Sequence, residues 1–273
     1  MVHDLGNPLH AETVRGAQSS AAAHGYVLLL ADAEELAVNE AAYEELLTSR
    51  RIDGALLHLG GQLADEPLSR LTHQRPPTVV INSQVSTAAG SVTLQDEAAA
   101  VLATEHLLDL GHTRIGFLRA LSQSPQGSRR LSGVKGTLDR AGFELQAQWT
   151  PEAGFDVVGG ALAMQRLLEG AARPTAVVVA NVMAAIGALD SARKAGVRVP
   201  EDMSLVAIHD TWIANHTAPP LTTVRLPLYQ LGEVAVDLLV EVLDEDKRRD
   251  VVLSDPPPQL ICRASSAHVG FNR

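Results

Sequence analysis

Residues 174–210 read PTAVVVANVMAAIGALDSARKAGVRVPEDMSLVAIHD. An uninterrupted apolar, β-branched run (176–180) ends on Asn181. An Ala-rich helical stretch follows and stops at Gly196, and a second apolar run (205–208) ends on His209-Asp210. Strands covered on both faces read as continuous apolar runs, unlike the in/out alternation of a half-exposed antiparallel sheet. Strand, helix and strand at this spacing predict a parallel βαβ unit with a right-handed crossover.

The same punctuation recurs on either side. Gly25 precedes YVLLLAD, Gly111 precedes HTRIGFL, and Gly170 precedes ARPTAVVVAN. Gly is favoured just past a helix end because it takes the left-handed conformation without a Cβ clash. Further strands are expected at 27–31, 55–59 and 78–81. A late helix is expected over 227–243, with Leu228, Leu231, Ala235, Leu238 and Val242 on one face and Glu233, Asp237 and Glu241 opposite. After it, 244–250 mixes charges of both signs and reads as a solvated turn. Nine or ten such units exceed one comfortable doubly wound sheet, so two parallel sheets are expected. A cleft lies where their carboxyl ends face each other, the edge at which open α/β sheets bind ligands.

Composition excludes several functions. The chain has 273 residues, 46% of them hydrophobic, and a formal charge of −10 from 32 acids and 22 bases. Such a surface repels phosphate and does not form a nucleic-acid-binding face of its own. One cysteine, Cys262, excludes an internal disulfide framework. No apolar run approaches the ~20 residues that span a bilayer. MVHDLGNPLH lacks the basic segment and apolar stretch of a signal peptide. A soluble, cytoplasmic protein without a membrane partner is expected.

The sequence contains no G-x-S-x-G elbow, phosphate-loop motif, G-x-G-x-x-G after a strand or H-E-x-x-H. No cofactor is expected. His209, Asp210 and His216 form the closest metal-like cluster, but a zinc site needs three or four geometrically fixed ligands, and the metal reading is rejected. His209 and Asp210 are also poor as an acid–base pair, since adjacent strand residues face opposite ways. No enzyme is expected. Polar residues instead close several strands: Asn82 after TVVI, Asn181 after AVVVA, and His209-Asp210 after LVAI. Each alone reads more readily as turn chemistry. Converging on one edge, they read as a site for a small polar ligand. Arg130 sits with Arg129 in the first turns of a helix, where the dipole disfavours a cation. It reads either as a solvated surface residue or as a guanidinium placed to grip ligand oxygens.

The chain resembles, from end to end, the effector-binding region of LacI/GalR-type bacterial transcription regulators. LGHTRIGFL, VPEDMSLVAIHD and PPLTTVR, with GNPLHAETVRGAQSSAAAHGYVLLLAD before them and LICRASS after, follow the family's order and spacing. The resemblance implies a periplasmic-binding-protein type I fold of two Rossmann-like lobes joined by three crossing segments. The lobes would comprise 1–94 with 227–247, and 95–226 with 248–273. It implies a helix-turn-helix headpiece ahead of Met1, carried by the family and lacking from these residues, through which operator DNA is bound. It also implies a homodimer.

Carried over by position, the effector set is Leu9, His10, Asn82, Gln126, Arg130, Phe155, Asn181, His209 and Asp210. Leu9 and His10 stand where the family usually has two aromatics. Val182 replaces a usual Asp, and His209 stands where sugar- and purine-responsive members place an effector-binding Asp. Two carboxylates fewer, with Arg130 nearby, leave two effectors open: a neutral sugar, or an acidic or phosphorylated one bound by donation from imidazole. The other class sharing this fold is the periplasmic solute receptor of a transporter.

Overall fold

The computed structural model describes residues 1–2, 6–32, 45, 51–58, 76–170, 172–245 and 247–270. The chain divides into two units, Met1–Leu94 with Pro227–Pro256 and Gln95–Leu226 with Pro257–Arg273.

In the first unit, β1 (Ala55–Leu57), β2 (Thr78–Ile81), β3 (Gly90–Leu94) and β8 (Arg249–Leu253) form a parallel sheet in that order. Helices α1 (Pro8–Ala23) and α6 (Leu228–Glu245) pack on each other. The five apolar residues expected to share a face of α6 are all buried. The two helix backbones approach so closely that a Cβ on Gly16 would stand 1.8 Å from the Tyr229 carbonyl oxygen. One on Gly232 would stand 1.9 Å from that of Thr13.

Four expectations are corrected here. The run 27–31 forms no ladder, and Val27 and Leu29 are 86% and 71% exposed. A parallel strand needs a neighbour of its own length. Among the described residues Val2 alone bridges to Asp32 and to His58, and its amide donates to the Ala31 carbonyl. The expected strand at 55–59 continues past Leu57 as a single bridge at His58, and Leu59 lies outside the described residues. The turn expected over 244–250 is also shorter. The helix runs to Glu245, and Arg249 and Asp250 enter β8, pairing with Gly90 and Ser91. Charged side chains suit an edge strand, whose outer face is solvated. The last crossing between units therefore falls after Pro256, not after 247, because β8 completes the first sheet.

The second unit carries a five-stranded sheet, β4 (Ile115–Leu118), β5 (Ala176–Val179), β6 (Ser204–Ile208), β7 (Thr222–Arg225) and β9 (Gln259–Ile261). All neighbours run parallel except β9, which is antiparallel to β7. Around it lie α2 (Asp96–Asp109), α3 (Pro125–Arg140), α4 (Val157–Glu169) and α5 (Val182–Lys194). Gly111 and Gly196 take positive φ after their helices, at 84° and 72°. Gly170 instead closes α4 in extended conformation, φ −64°.

A buried histidine anchors the chain end in this unit. His112 meets the Thr175 hydroxyl through Nδ1 (2.9 Å), and the Ser204 hydroxyl (3.1 Å) and Ala267 carbonyl (3.0 Å) through Nε2. A carbonyl only accepts, so Nε2 carries a proton. Burial pushes this imidazole below its usual range, with the nearby His106 and His268 adding to the effect and the Ala267 bond opposing it.

Candidate functional site at the carboxyl edge of the second sheet

The strand ends β5 and β6 and the first turns of α2 and α3 meet at one buried cluster. Ser124 caps α3, accepting from the Gly127 amide at 3.0 Å, and Pro125 opens the helix. That start places Gln126 and Arg130 one turn apart on the same face. Arg130 is only 1% exposed. Its Nε and Nη2 donate to Asp96 Oδ1 at 2.9 and 2.7 Å, and Nη1 donates to the Ala180 carbonyl that ends β5. Nη2 also donates to His209 Nε2 at 2.7 Å. Asp96, the first residue of α2, is fully buried, and its Oδ2 accepts from Arg129 Nη2 at 2.6 Å.

The cluster resolves the oddity of cations at the start of α3. Asp96 sits favourably at its own helix N-terminus and neutralises the arginines that sit unfavourably at theirs. A guanidinium has five N–H donors and no acceptor. Four of those on Arg130 are committed within the protein, one through Nε, two through Nη2 and one through Nη1. Arg130 is thus neither a solvated surface residue nor an open fork. His209 Nε2 must accept, which puts the ring proton on Nδ1 and leaves the imidazole neutral. The neutral ring keeps one N–H donor, on Nδ1. The His209 backbone lies in the left-handed region, φ 69°, as does that of Asn82 at the end of β2, φ 56°. For a non-glycine residue this costs about 1–2 kcal/mol. Both polar residues are turned out of their strands at the carboxyl edge.

Beside the arginine, Asn181 caps α5 through Oδ1, which accepts from the Ala184 amide at 2.8 Å. Its Nδ2 is buried without a hydrogen-bond partner among the described residues. So are Gln126 Oε1 and Thr211 Oγ1. Buried amides and hydroxyls are normally paired, and an unmet one costs ~1–3 kcal/mol. This edge therefore presents an unmet donor, Asn181 Nδ2, and an unmet acceptor, Gln126 Oε1.

Not every expected residue joins this cluster. Asp210 turns the other way, receiving Thr223 Oγ1 at 2.7 Å, Arg225 Nη2 at 2.7 Å and Arg263 Nη2 at 2.8 Å. Burial raises its carboxyl, but the hydrogen bonds from Thr223, Arg225 and Arg263 outweigh it and hold the group below its usual range. Asp210 braces β6 against β7 and Arg263. Phe155 lies half-buried between Gly154 and the α4 cap Asp156, outside the contacts of the cluster.

In the first unit, Leu9 and His10 occupy the first turn of α1, which Asn7 caps by accepting from the Leu9 amide. Leu9 is buried. His10 meets His58 edge-on, ring centroids 4.7 Å apart. Asn82 Oδ1 accepts from the Leu94 amide at 3.3 Å. Sequence reasoning missed Asp96 and His58. A polar residue at the end of an apolar run is the signal that marked Asn82, and it marks His58 too. Asp96 had no distinctive signal, since acids are common in first turns.

No group of three His, Cys, Asp or Glu among the described residues could hold a metal ion. No described helix is long and apolar enough to cross a membrane.

Comparison with known proteins places this geometry. Residues 104–266 match the model of the periplasmic binding protein-like domain. The transcriptional repressor CytR of Escherichia coli is 32% identical over 242 residues, 88% of this chain and 71% of the relative. The crystal structure of a LacI family transcriptional regulator from Mycobacterium smegmatis is 38% identical, with a TM-score of 0.91 over 98% of this chain and 99% of that one. The regulator CelR in complex with cellobiose is 26% identical, with a TM-score of 0.87 over 97% and 83%. With sequence and fold in agreement, the chain belongs to the LacI family of transcription regulators and carries their periplasmic-binding-protein-like effector-binding region.

Proposed function

We infer that the carboxyl edge of the second sheet is the effector site of this regulator, with Arg130, Gln126, Asn181 and His209 as its polar floor. Phe155, Leu9, His10 and Asn82 enter the proposed effector set by family position alone. Asp210 belongs to the site only indirectly, by holding the strand end from which His209 departs. One observation carries the reading. Asn181 Nδ2 and Gln126 Oε1 are buried and unpartnered beside an arginine with four of its five N–H donors committed. Polar groups in that state await a ligand.

The ligand is a small polar metabolite, in keeping with the cellobiose bound by the CelR relative. Its role is regulatory and not catalytic. Binding alters operator affinity, through the family's headpiece, to the extent that the two conformations of the regulator bind the effector unequally. The protein works in the cytoplasm as a homodimer. Val158 and Leu162, one turn apart on α4 and 69% and 51% exposed, offer an apolar stripe for the second copy.

The test is calorimetric titration of a metabolite found by thermal-shift screening, against the wild type, Arg130→Ala and Asn181→Ala. Both variants are expected to lose binding by ~10-fold or more, since each removes a buried polar contact. Unchanged affinity in both would put the effector elsewhere. Operator binding by the headpiece-bearing regulator, measured with and without the ligand, tests the coupling, and no change with a tight ligand would sink it.

A further inference from the structure

We propose that Asp96 sets the charge class of the effector. On the effector-site assignment above, the ligand is uncharged and presents a hydrogen-bond acceptor to Asn181 beside a donor for Gln126, as a carboxamide, a lactam or a pair of vicinal hydroxyls does. It is not an anion.

A buried arginine with its fork open would be an anion trap, since guanidinium matches carboxylate and phosphate bidentately. Arg130 has no open fork. Asp96 Oδ1 takes both Nε and Nη2, and the Ala180 carbonyl and His209 take two more donors. One Nη1 hydrogen is left, enough for a single hydrogen bond. Arg129 holds the other Asp96 oxygen from a more exposed position, with 29% of its side chain in solvent, where its charge is screened. His209 accepts from Arg130 and brings no positive charge.

Two of the unpartnered atoms at this edge belong to carboxamides, and the third, Thr211 Oγ1, can donate or accept. Asn181 Nδ2 donates only and Gln126 Oε1 accepts only. Asn181 is 1% exposed and Gln126 5%. A carboxylate or phosphate group set against these two atoms has no hydrogen to offer Gln126 Oε1 and would leave it unmet. A neutral group with donor and acceptor side by side satisfies both. Asp96 touches neither the ligand nor these amides. It is a positioning residue, selecting for neutrality by occupying the arginine.

The experiment uses the full chain with matched pairs that differ in charge: galactose and galacturonate, ribose and ribose 5-phosphate, nicotinamide and nicotinate. Thermal shift and calorimetry are expected to find a neutral member that stabilises the wild type while its acidic partner does not. Asp96→Asn frees the Arg130 fork, and the affinity for inorganic phosphate should rise about tenfold or more. Should Asp96→Asn fail to fold, Asn181→Asp tests the same point. It keeps the cap on the Ala184 amide but replaces the donor with a carboxylate, and the neutral ligand should be lost at unchanged melting temperature. Acidic members binding the wild type as tightly as neutral ones would overturn the proposal. So would a screen without a neutral hit, a folded Asp96→Asn variant with unaltered phosphate affinity, or an Asn181→Asp variant that retains the ligand. An acidic ligand that is lost in Arg130→Ala and Asn181→Ala would overturn the charge class and leave the effector site standing. A ligand indifferent to both variants would overturn the site itself.

Discussion

Arg130→Met and Asp96→Asn, alone and together, form a double-mutant cycle across the buried ion pair. The pair is 1% and 0% exposed and joined by two N–H···Oδ1 bonds of 2.9 and 2.7 Å. Removing one partner of a buried pair costs about 3–5 kcal/mol, because the survivor is left charged and desolvated. Arg130→Met belongs at the lower end, about 3 kcal/mol, since Arg129 still holds Asp96 Oδ2 at 2.6 Å. Asp96→Asn belongs nearer 5 kcal/mol, because it strands a fully buried guanidinium. The double variant strands no charge, so its cost should fall below the sum of the singles by roughly 2–3 kcal/mol. Urea unfolding followed by tryptophan fluorescence reads the right part of the molecule. Both tryptophans, Trp149 and Trp212, belong to the second unit, and Trp149 is buried. The midpoint should move at constant slope. Single costs that add to within about 0.5 kcal/mol would refute the idea that each group is held chiefly by the other.

Other consequences are open to measurement. Gly187→Ala would place a Cβ 1.8 Å from the Val157 carbonyl oxygen, in backbone that cannot yield without moving α4 from α5. Overpacking of this kind costs about 1–3 kcal/mol or more, read as a lower urea midpoint of the fluorescence transition. Gly232→Ala meets the Thr13 carbonyl at 1.9 Å in the first unit. It should lower helical circular-dichroism stability while leaving the tryptophan signal of the second unit nearly in place. Asn181→Ala removes the α5 cap and should cost about 1 kcal/mol, and Asn181→Asp, which still caps, should cost far less. Stability should also fall on acidification. His112, held below the ordinary histidine range chiefly by burial, takes up a proton in the unfolded chain first. Its contribution is complete above pH ~6.5 and declines as pH drops from there toward the folded value. A urea midpoint that rises between pH 7.5 and 5.5 would contradict this sign, and His112→Gln should flatten the fall.

The parallel units were legible because a strand buried on both faces has one appearance in sequence, an uninterrupted apolar run. The same appearance misled at 27–31, where composition matched but the neighbour at Val2 spans a single bridge. A run reports a capacity to pair, and pairing needs two strands. Arg130 stood out as a cation at a helix start. Its partner Asp96 did not, because an acid in a first turn is ordinary and nothing in 34 residues of separation joins the two. The protonation of His209 was out of reach for a related reason, since only the identity of the atom facing Nε2 decides it. Asp210 read as a site residue from its position beside His209, but the chain leaves β6 after Ile208, turns at His209, φ 69°, and carries Asp210 toward Thr223, Arg225 and Arg263.

The three crossings between units bear on how this protein is made. Neither unit is a continuous stretch of chain. The first sheet cannot close until β8 reaches β3, and Ser91 waits for Asp250, 159 residues later. The second is held open until Ser265 and Ala267 reach Leu205 and His112. Chains emerge from the ribosome amino end first, at about 5–20 residues per second. Both units therefore stay incomplete until residues 250–267 have emerged and then close within the same few seconds. A stalled ribosome or a nick that removes the last stretch leaves a nascent chain with exposed apolar edges, work for chaperones and not a smaller functioning sensor.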